Sequence, residues 1–303
     1  MAYVADMRVI ISGASGLIGS ALATSLESDG HTVVRMVRRT AGDGEIQWDP
    51  ATGLLAASDL AGADAVVHLA GAGIGDRRWT EAYKREILDS RVKGTDLLAR
   101  RIAECEGRPP VFLSGSAIGI YGPSDGSDLD ESSPTSTDFL ADVCRQWEAA
   151  TAPAEDAGVR VVHLRTGIVL TPRGGALAKM LPLFRIGLGG RFGNGRQWQS
   201  WISLDDEVGA IRHLLTSSLT GPVNLTAPAP VANSEFTKVL AAVLRRPALF
   251  PVPAIGPRLL LGRELADALL FTGQKVLPRA LEADGYTFAH PGLEGALRSL
   301  LGR

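Results

Sequence analysis

A chain of 303 residues, 45% hydrophobic and 21% charged, has the balance of a globular protein and excludes a disordered or membrane-embedded one. Its formal net charge of −2 argues against nucleic acid as the main partner, because binding a phosphate backbone needs a basic face. Cys105 and Cys144 are the two cysteines and the five histidines are scattered, so neither a disulfide framework nor a metal site is expected.

The first apolar run, Arg8–Ser12, meets Gly13-Ala14-Ser15-Gly16-Leu17-Ile18-Gly19, and Ser20–Ser28 then places Ala21, Leu22 and Leu26 at helical spacing. This reads as strand, turn and helix. A G-x-x-G-x-x-G turn in that context lets the backbone approach a pyrophosphate, which rests on the free N–H groups of the helix N-terminus. Gly30 past the helix end completes the pattern. His31–Val37 is the second strand and runs into Arg38-Arg39-Thr40, with no acid before Asp43. An acid there would accept from the 2′-hydroxyl of NAD, whereas a guanidinium receives the 2′-phosphate of NADP. Arg38 and Arg39 therefore favour NADP(H).

Ala65–Ala70, Val111–Ser114 and Val159–Leu164 are further short strands, separated by helical patterns near Thr80–Cys105 and Asp138–Ala157. Strands alternating with helices predict an α/β fold, a Rossmann-type doubly wound parallel sheet. After Thr171 glycines and prolines crowd the chain, interrupted by Ser200–Leu215, a strand-like start followed by a helix with Asp205, Asp206 and Glu207 near its N-terminus. The expected organisation is a dinucleotide-binding domain over 7–170 to which 200–225 returns, and a smaller, mixed C-terminal substrate lobe over 171–199 and 226–303. The N-terminus lacks a signal-like pattern and no run reaches about 18 apolar residues, so a cytoplasmic protein with no membrane partner is expected.

These features, with His68-Leu69-Ala70-Gly71 and Ile120-Tyr121-Gly122, resemble the extended short-chain dehydrogenase/reductases. More narrowly the chain resembles the NADP-binding epimerase family. Trp48-Asp49-Pro50, Arg78-Trp79, Ser90-Arg91, Ser116 to Gly122, Leu164-Arg165-Thr166-Gly167, Gly187-Leu188-Gly189-Gly190 and Ser200-Trp201-Ile202 carry that likeness, and Asn233-Ser234-Glu235-Phe236 through Gly273 to Pro278 extends it into the small C-terminal domain. The resemblance implies that the cofactor lies across the C-terminal edge of the sheet. Matching positions are Gly13, Ser15, Gly16, Leu17, Ile18 and Gly19 in the turn, then Val37, Arg38, Arg39, Leu69, Ala70, Gly71, Glu86, Arg91 and Arg165.

Hydride-transferring relatives in this superfamily use Tyr-x-x-x-Lys, in which the lysine lowers the tyrosine pKa for proton exchange. Four residues after Tyr3, Tyr83, Tyr121 and Tyr286 stand Met7, Ile87, Asp125 and His290, so the pair is missing. Counting back from Glu148, which resembles a glutamate that often follows the lysine, puts Cys144 at the lysine position and Leu140 at the tyrosine position. Ser116 and Tyr121 are the candidate catalytic hydroxyls, with Ser114 competing and Asp138 and Glu148 as candidate acids or bases. Gln197, Trp198 and Trp201 lie beside the glycine-rich segment that closes over substrate in such proteins.

Two functions fit. One is an NADP(H)-dependent oxidoreductase or epimerase acting on a small polar molecule, such as a nucleotide-linked sugar, with a nonstandard proton donor. The other is a noncatalytic NADP(H)-binding regulatory or redox-sensing protein. The resemblance also implies a homodimer paired through the helices near Thr80–Cys105 and Asp138–Ala157.

Overall fold

Seven parallel strands form the central sheet of the computed structural model, which describes residues 6–303. They are β1 (Arg8–Ser12), β2 (Thr32–Val37), β3 (Glu45–Gln47), β4 (Ala65–His68), β5 (Val111–Ala117), β6 (Arg160–Thr166) and β7 (Gly221–Leu225), in spatial order β3-β2-β1-β4-β5-β6-β7. The register runs Arg8 beside Thr32 and Val9 beside Ala65. Strand order reverses between β1 and β4, and the crevice outside the C-terminal ends of these strands is where ligands bind in open α/β sheets.

The strands read as continuous apolar runs because helices cover both faces of the sheet. Alternate residues divide between two cores. Val9, Ile11, Val67 and Leu113 pack with Leu22 and Leu26 of α1 (Leu17–Ser28) and with Val208 and Ile211 of a later helix, Leu204–Thr216. Ile10, Val66 and Phe112 face the other way, onto Leu98 and Ile102 of α2 (Glu81–Glu104) and onto Trp48. Each fully buried aliphatic side chain contributes roughly 1.5–3 kcal/mol relative to exposure.

Three helices start on a side-chain cap. Thr80 accepts from Tyr83 N at the start of α2, Asp138 from Ala141 N at the start of α3 (Phe139–Ala149), and Ser203 from Asp206 N before Leu204. By contrast, Gly16 caps α1 with no side-chain hydrogen bond. Its first N–H groups are left for a ligand.

Three boundaries differ from the sequence reading. Helix α1 begins at Leu17, directly in the glycine turn, because the turn itself supplies the first helical residues. The helix expected near Asp138–Ala157 divides into α3 and α4 (Ala152–Asp156), with Pro153 in the first turn of the second piece, where its missing N–H costs nothing. Strand β7 carries Pro222, which a sheet edge tolerates.

A third core, of Leu170, Leu177, Leu181, Phe184, Trp201, Phe236, Leu240 and Leu297, sits beside the sheet. It includes α5 (Gly175–Arg185), whereas the Leu204–Thr216 helix, α6, packs its buried apolar residues into the sheet core of Val9 and Ile11. The Asp206 carboxylate accepts N–H bonds from Ala289 (2.7 Å) and His290 (3.0 Å), which ties the C-terminal tail to the start of α6. Among the described residues no helix is long and apolar enough to cross a membrane.

Candidate functional site

The turn between β1 and α1 has a geometry only glycine permits at two points. Gly13 has φ +71°, and a Cβ there would sit 2.8 Å from Ala70 N. At Gly19 a Cβ would collide with the Gly13 carbonyl. The turn therefore packs against the backbone after β4, and Gly16 N closes it by donating to Gly13 O at 2.9 Å. Among the described residues no protein group accepts the N–H of Leu17 or Ile18.

From this turn a cleft of about 980 Å³ runs along the C-terminal edge of the sheet. It is lined by Gly13 to Gly16, by Arg35 to Arg39 at the end of β2, by Trp48 to Ala51, by Leu69 to Ala72, and by Glu86, Asp89, Ser90 and Lys93 of α2. Ser15, Val37, Leu69, Ala70, Gly71 and Glu86 thus share one wall-to-wall space with Gly13 and Gly16. Leu17 lines an adjoining cavity with Arg173 and Gly174, while Ile18 packs on the sheet core and Gly19 is buried.

The two arginines after β2 divide. Arg39 makes a paired contact with Glu45, Nη1 to Oε2 and Nη2 to Oε1, both at 2.6 Å. Arg39 and the Gly42 N–H hold the Glu45 carboxyl down at about 2. Arg38 is exposed on the cleft and has no carboxylate partner among the described residues.

Arg91 and Arg165 lie away from this cleft lining. Arg91 runs beneath Gly71, donates to Ala72 O at 2.9 Å and to Ile87 O at 3.1 Å, and stacks on Trp147. It braces the loop after β4 from below, and burial lowers its pKa.

Arg165 belongs to a buried polar chain at the ends of β5 and β6. Its Nε and Nη2 donate to Oε1 and Oε2 of Glu148 at 2.8 and 2.9 Å, and its Nη1 to the Tyr121 hydroxyl at 2.9 Å. Ser116 donates to Glu148 at 2.6 Å, and Tyr121 to Asn224 Oδ1 at 2.8 Å. Asn224 in turn donates to Leu277 O, reaching the C-terminal segment. Burial pushes Tyr121 up despite the pull of Arg165. Burial also opposes ionisation of Glu148, but its bonds to Arg165 and Ser116 outweigh this and hold it below the ordinary carboxylate range. Both candidate catalytic hydroxyls are buried, and each has an internal acceptor.

Leu140 stands against Gly119, and Cys144 is buried among Ile118, Ile120 and Val276. Burial, with Glu148 nearby, pushes its thiol up to about 12. Asp138 is the α3 cap. Trp201 fills the lobe core with its indole N–H on Ala229 O, Trp198 lies under Lys275, and Gln197 donates to Phe192 O and Leu270 O. Trp48 to Ala51 line the cleft without a role assigned in the sequence reading. They follow a three-residue strand, β3, too short to read, so no signal tied them to the end of β2.

Family models match this arrangement over most of the chain. The model described as NAD dependent epimerase/dehydratase family covers residues 9–225, and a domain of unknown function (DUF1731) covers 252–300. The chain belongs to the NAD dependent epimerase/dehydratase family. Within it, an epimerase family protein of Mycobacterium bovis is 44% identical over 295 residues, 97% of each chain. The Homo sapiens epimerase family protein SDR39U1 is 39% identical over 97% of this chain and 100% of its own length. The crystal structure of human SDR39U1 (isoform2) with NADPH superposes with a TM-score of 0.90 at 37% identity, covering 98% of this chain and 99% of that one. A nucleoside-diphosphate sugar epimerase from Corynebacterium glutamicum gives 0.79 at 38% identity, covering 98% of this chain and 58% of that one. The overall fold, sheet and C-terminal region together, is thus shared with these two structures.

Proposed function

We propose that this protein binds NADP(H) in the cleft along the C-terminal edge of the sheet and uses it on a small polar substrate, without a Tyr-x-x-x-Lys pair. Arg38 carries the reading. It is an exposed guanidinium without a carboxylate partner, at the end of β2, where the 2′-phosphate of NADP lies in this fold. The uncapped N-terminus of α1 fits a pyrophosphate. Human SDR39U1, crystallised with NADPH, supports the same cofactor.

When bound, the dinucleotide supplies hydride chemistry. The chain's own part is to hold the 2′-phosphate with Arg38, to receive the pyrophosphate on the Leu17 and Ile18 N–H groups, and to keep the turn rigid against Leu69 and Ala70. A nucleotide-linked sugar is the substrate class we favour, a reading supported by the name of the Corynebacterium glutamicum relative. A homodimer through α2 and α3 belongs to the same reading, and sedimentation velocity tests it.

A second reading, noncatalytic regulation by NADP(H) occupancy, is favoured by one observation: Ser116 and Tyr121 are both tied into the Glu148–Arg165 chain. Calorimetry with NADPH and NADH tests the shared step. NADPH binds tighter; failure of both to bind at high micromolar concentration removes the proposal. NADPH oxidation or isomerisation across a panel of carbonyls and nucleotide sugars then separates the two readings. An enzyme turns over at least one member, whereas a regulator turns over none and changes its assembly state with NADPH.

A further inference from the structure

The charge of this chain is distributed unevenly. Residues 171–200 and 236–263 hold ten of its 31 Lys and Arg and none of its 33 Asp and Glu. Lys238 pairs with Glu235, and Arg258 and Arg263 pair with Asp267. The remaining seven cations, Arg185, Arg191, Arg245 and Arg246 among them, have no carboxylate partner among the described residues.

The same two segments hold the exposed apolar side chains. Of the nine large hydrophobic residues that stand exposed among the described residues, eight are here, including Leu249 (79%), Phe250 (77%) and Leu260 (74%). Leu183, Ile186 and Leu188 end α5 and the turn after it. Ile255, Leu259 and Leu260 lie on α7 (Ile255–Leu261), a helix with no buried residue. Its backbone is nonetheless anchored, because Arg78 donates to the Leu260 carbonyl at 3.0 Å and to the Leu259 carbonyl. Exposure of the leucines is therefore set by the fold.

The two segments run side by side. Arg246 Nε donates to Arg185 O at 2.9 Å, Val252 N to Arg191 O at 2.8 Å, and Gly193 N to Val252 O at 3.0 Å. These bonds bring Arg185, Arg191 and Arg246 into the same neighbourhood as Leu249 and Phe250. Monomeric proteins rarely expose contiguous apolar patches of this kind without a use for them.

From this surface we infer that the C-terminal lobe docks peripherally on an anionic lipid bilayer, with Leu249, Phe250 and the α7 leucines entering the acyl boundary and the unpaired arginines on lipid phosphates. Charge decides among occupants. A second copy meeting the same patch would set unpaired cations against cations, which disfavours a two-fold contact. An interface of Leu, Ile and Phe ringed by Arg instead matches the division between acyl chains and anionic headgroups. Hydropathy along the chain does not register such a surface, because prolines, glycines and cations break the apolar side chains into short runs.

The test is co-flotation of the full-length protein with phosphatidylcholine vesicles that contain or lack phosphatidylglycerol. Binding is expected only with phosphatidylglycerol and is lost at high salt, since the attraction is screened within a Debye length. Arg245→Glu/Arg246→Glu and Leu249→Ser/Phe250→Ser are each expected to weaken it by about ten-fold or more. All four side chains are exposed, so circular dichroism and NADPH affinity stay unchanged. Three results would each overturn the inference: no difference between the two vesicle types, a patch-dependent dimer in sedimentation velocity, or binding that survives the serine pair. The last would identify a polyanion held by charge alone.

Discussion

Arg39 and Glu45 meet fork to fork at 2.6 Å on both nitrogens, and this pairing separates two neighbouring arginines that look equivalent in sequence. The planar guanidinium of Arg39 has spent its paired donors on a carboxylate. Arg38, one residue earlier, keeps its donors for a ligand.

Arg38→Ala is expected to weaken NADPH by about 1.5–3 kcal/mol, the worth of hydrogen bonds to a charged group, and NADH much less. Arg39→Ala should leave both affinities nearly unchanged, because its paired donors are already committed to Glu45. Calorimetry on the two variants decides. A larger loss at Arg39 would refute the assignment.

The Glu148–Arg165 pair predicts a stability effect. Glu148→Ala leaves a buried guanidinium without its carboxylate and should cost about 3–5 kcal/mol in urea denaturation. The double variant Glu148→Leu/Arg165→Met removes both charges and should recover much of this loss. Because Glu148 is held below the ordinary carboxylate range, its contribution is present above that range and disappears as pH falls through its lowered value.

Glu207 gives the opposite pH dependence. Its side chain is fully buried, accepts from Thr166 at 2.8 Å, and is pushed up to about 8 by burial. The folded protein therefore retains a proton that the unfolded chain releases above its ordinary value of 4.5. Stability from this group is full below that ordinary value and is lost as pH rises through about 8, at about 1.4 kcal/mol per pH unit across the interval. Glu207→Gln stays neutral throughout. Melting temperatures from pH 5 to 9 should fall more steeply for the wild type than for the variant, and parallel curves would count against a protonated Glu207.

Thiol chemistry tests the place of Cys144. Both cysteines are buried, and the Cys144 thiol stays protonated at neutral pH. A thiol-exchange reagent should label neither in the native state and both after denaturation. Rapid native labelling of Cys144 would revive redox sensing, whereas Cys144→Ala should leave NADPH affinity unchanged.

Sequence alone determined the features that depend on neighbours along the chain. Strand, glycine turn and helix are local, so Gly13, Gly16 and Gly19 announce a dinucleotide turn, and the absence of a Tyr-x-x-x-Lys pair is a matter of spacing. Tertiary structure decided everything that depends on partners far away in the chain. Gly13 needs its positive φ and also its missing Cβ because Leu69 and Ala70, more than fifty residues on, pack against it. Arg165 resembles a cofactor ligand in sequence, and only the fold shows that α3 brings Glu148 and the turn after β5 brings Tyr121 to its guanidinium, with Ser116 of β5 on the far side of Glu148. A buried charge requires a partner of opposite sign within hydrogen-bond reach, and no local pattern states which residue that will be. The glycine turn was therefore legible from one segment, while the division of labour between Arg38 and Arg39, and the internal commitment of Ser116 and Tyr121, followed only from how separate segments meet.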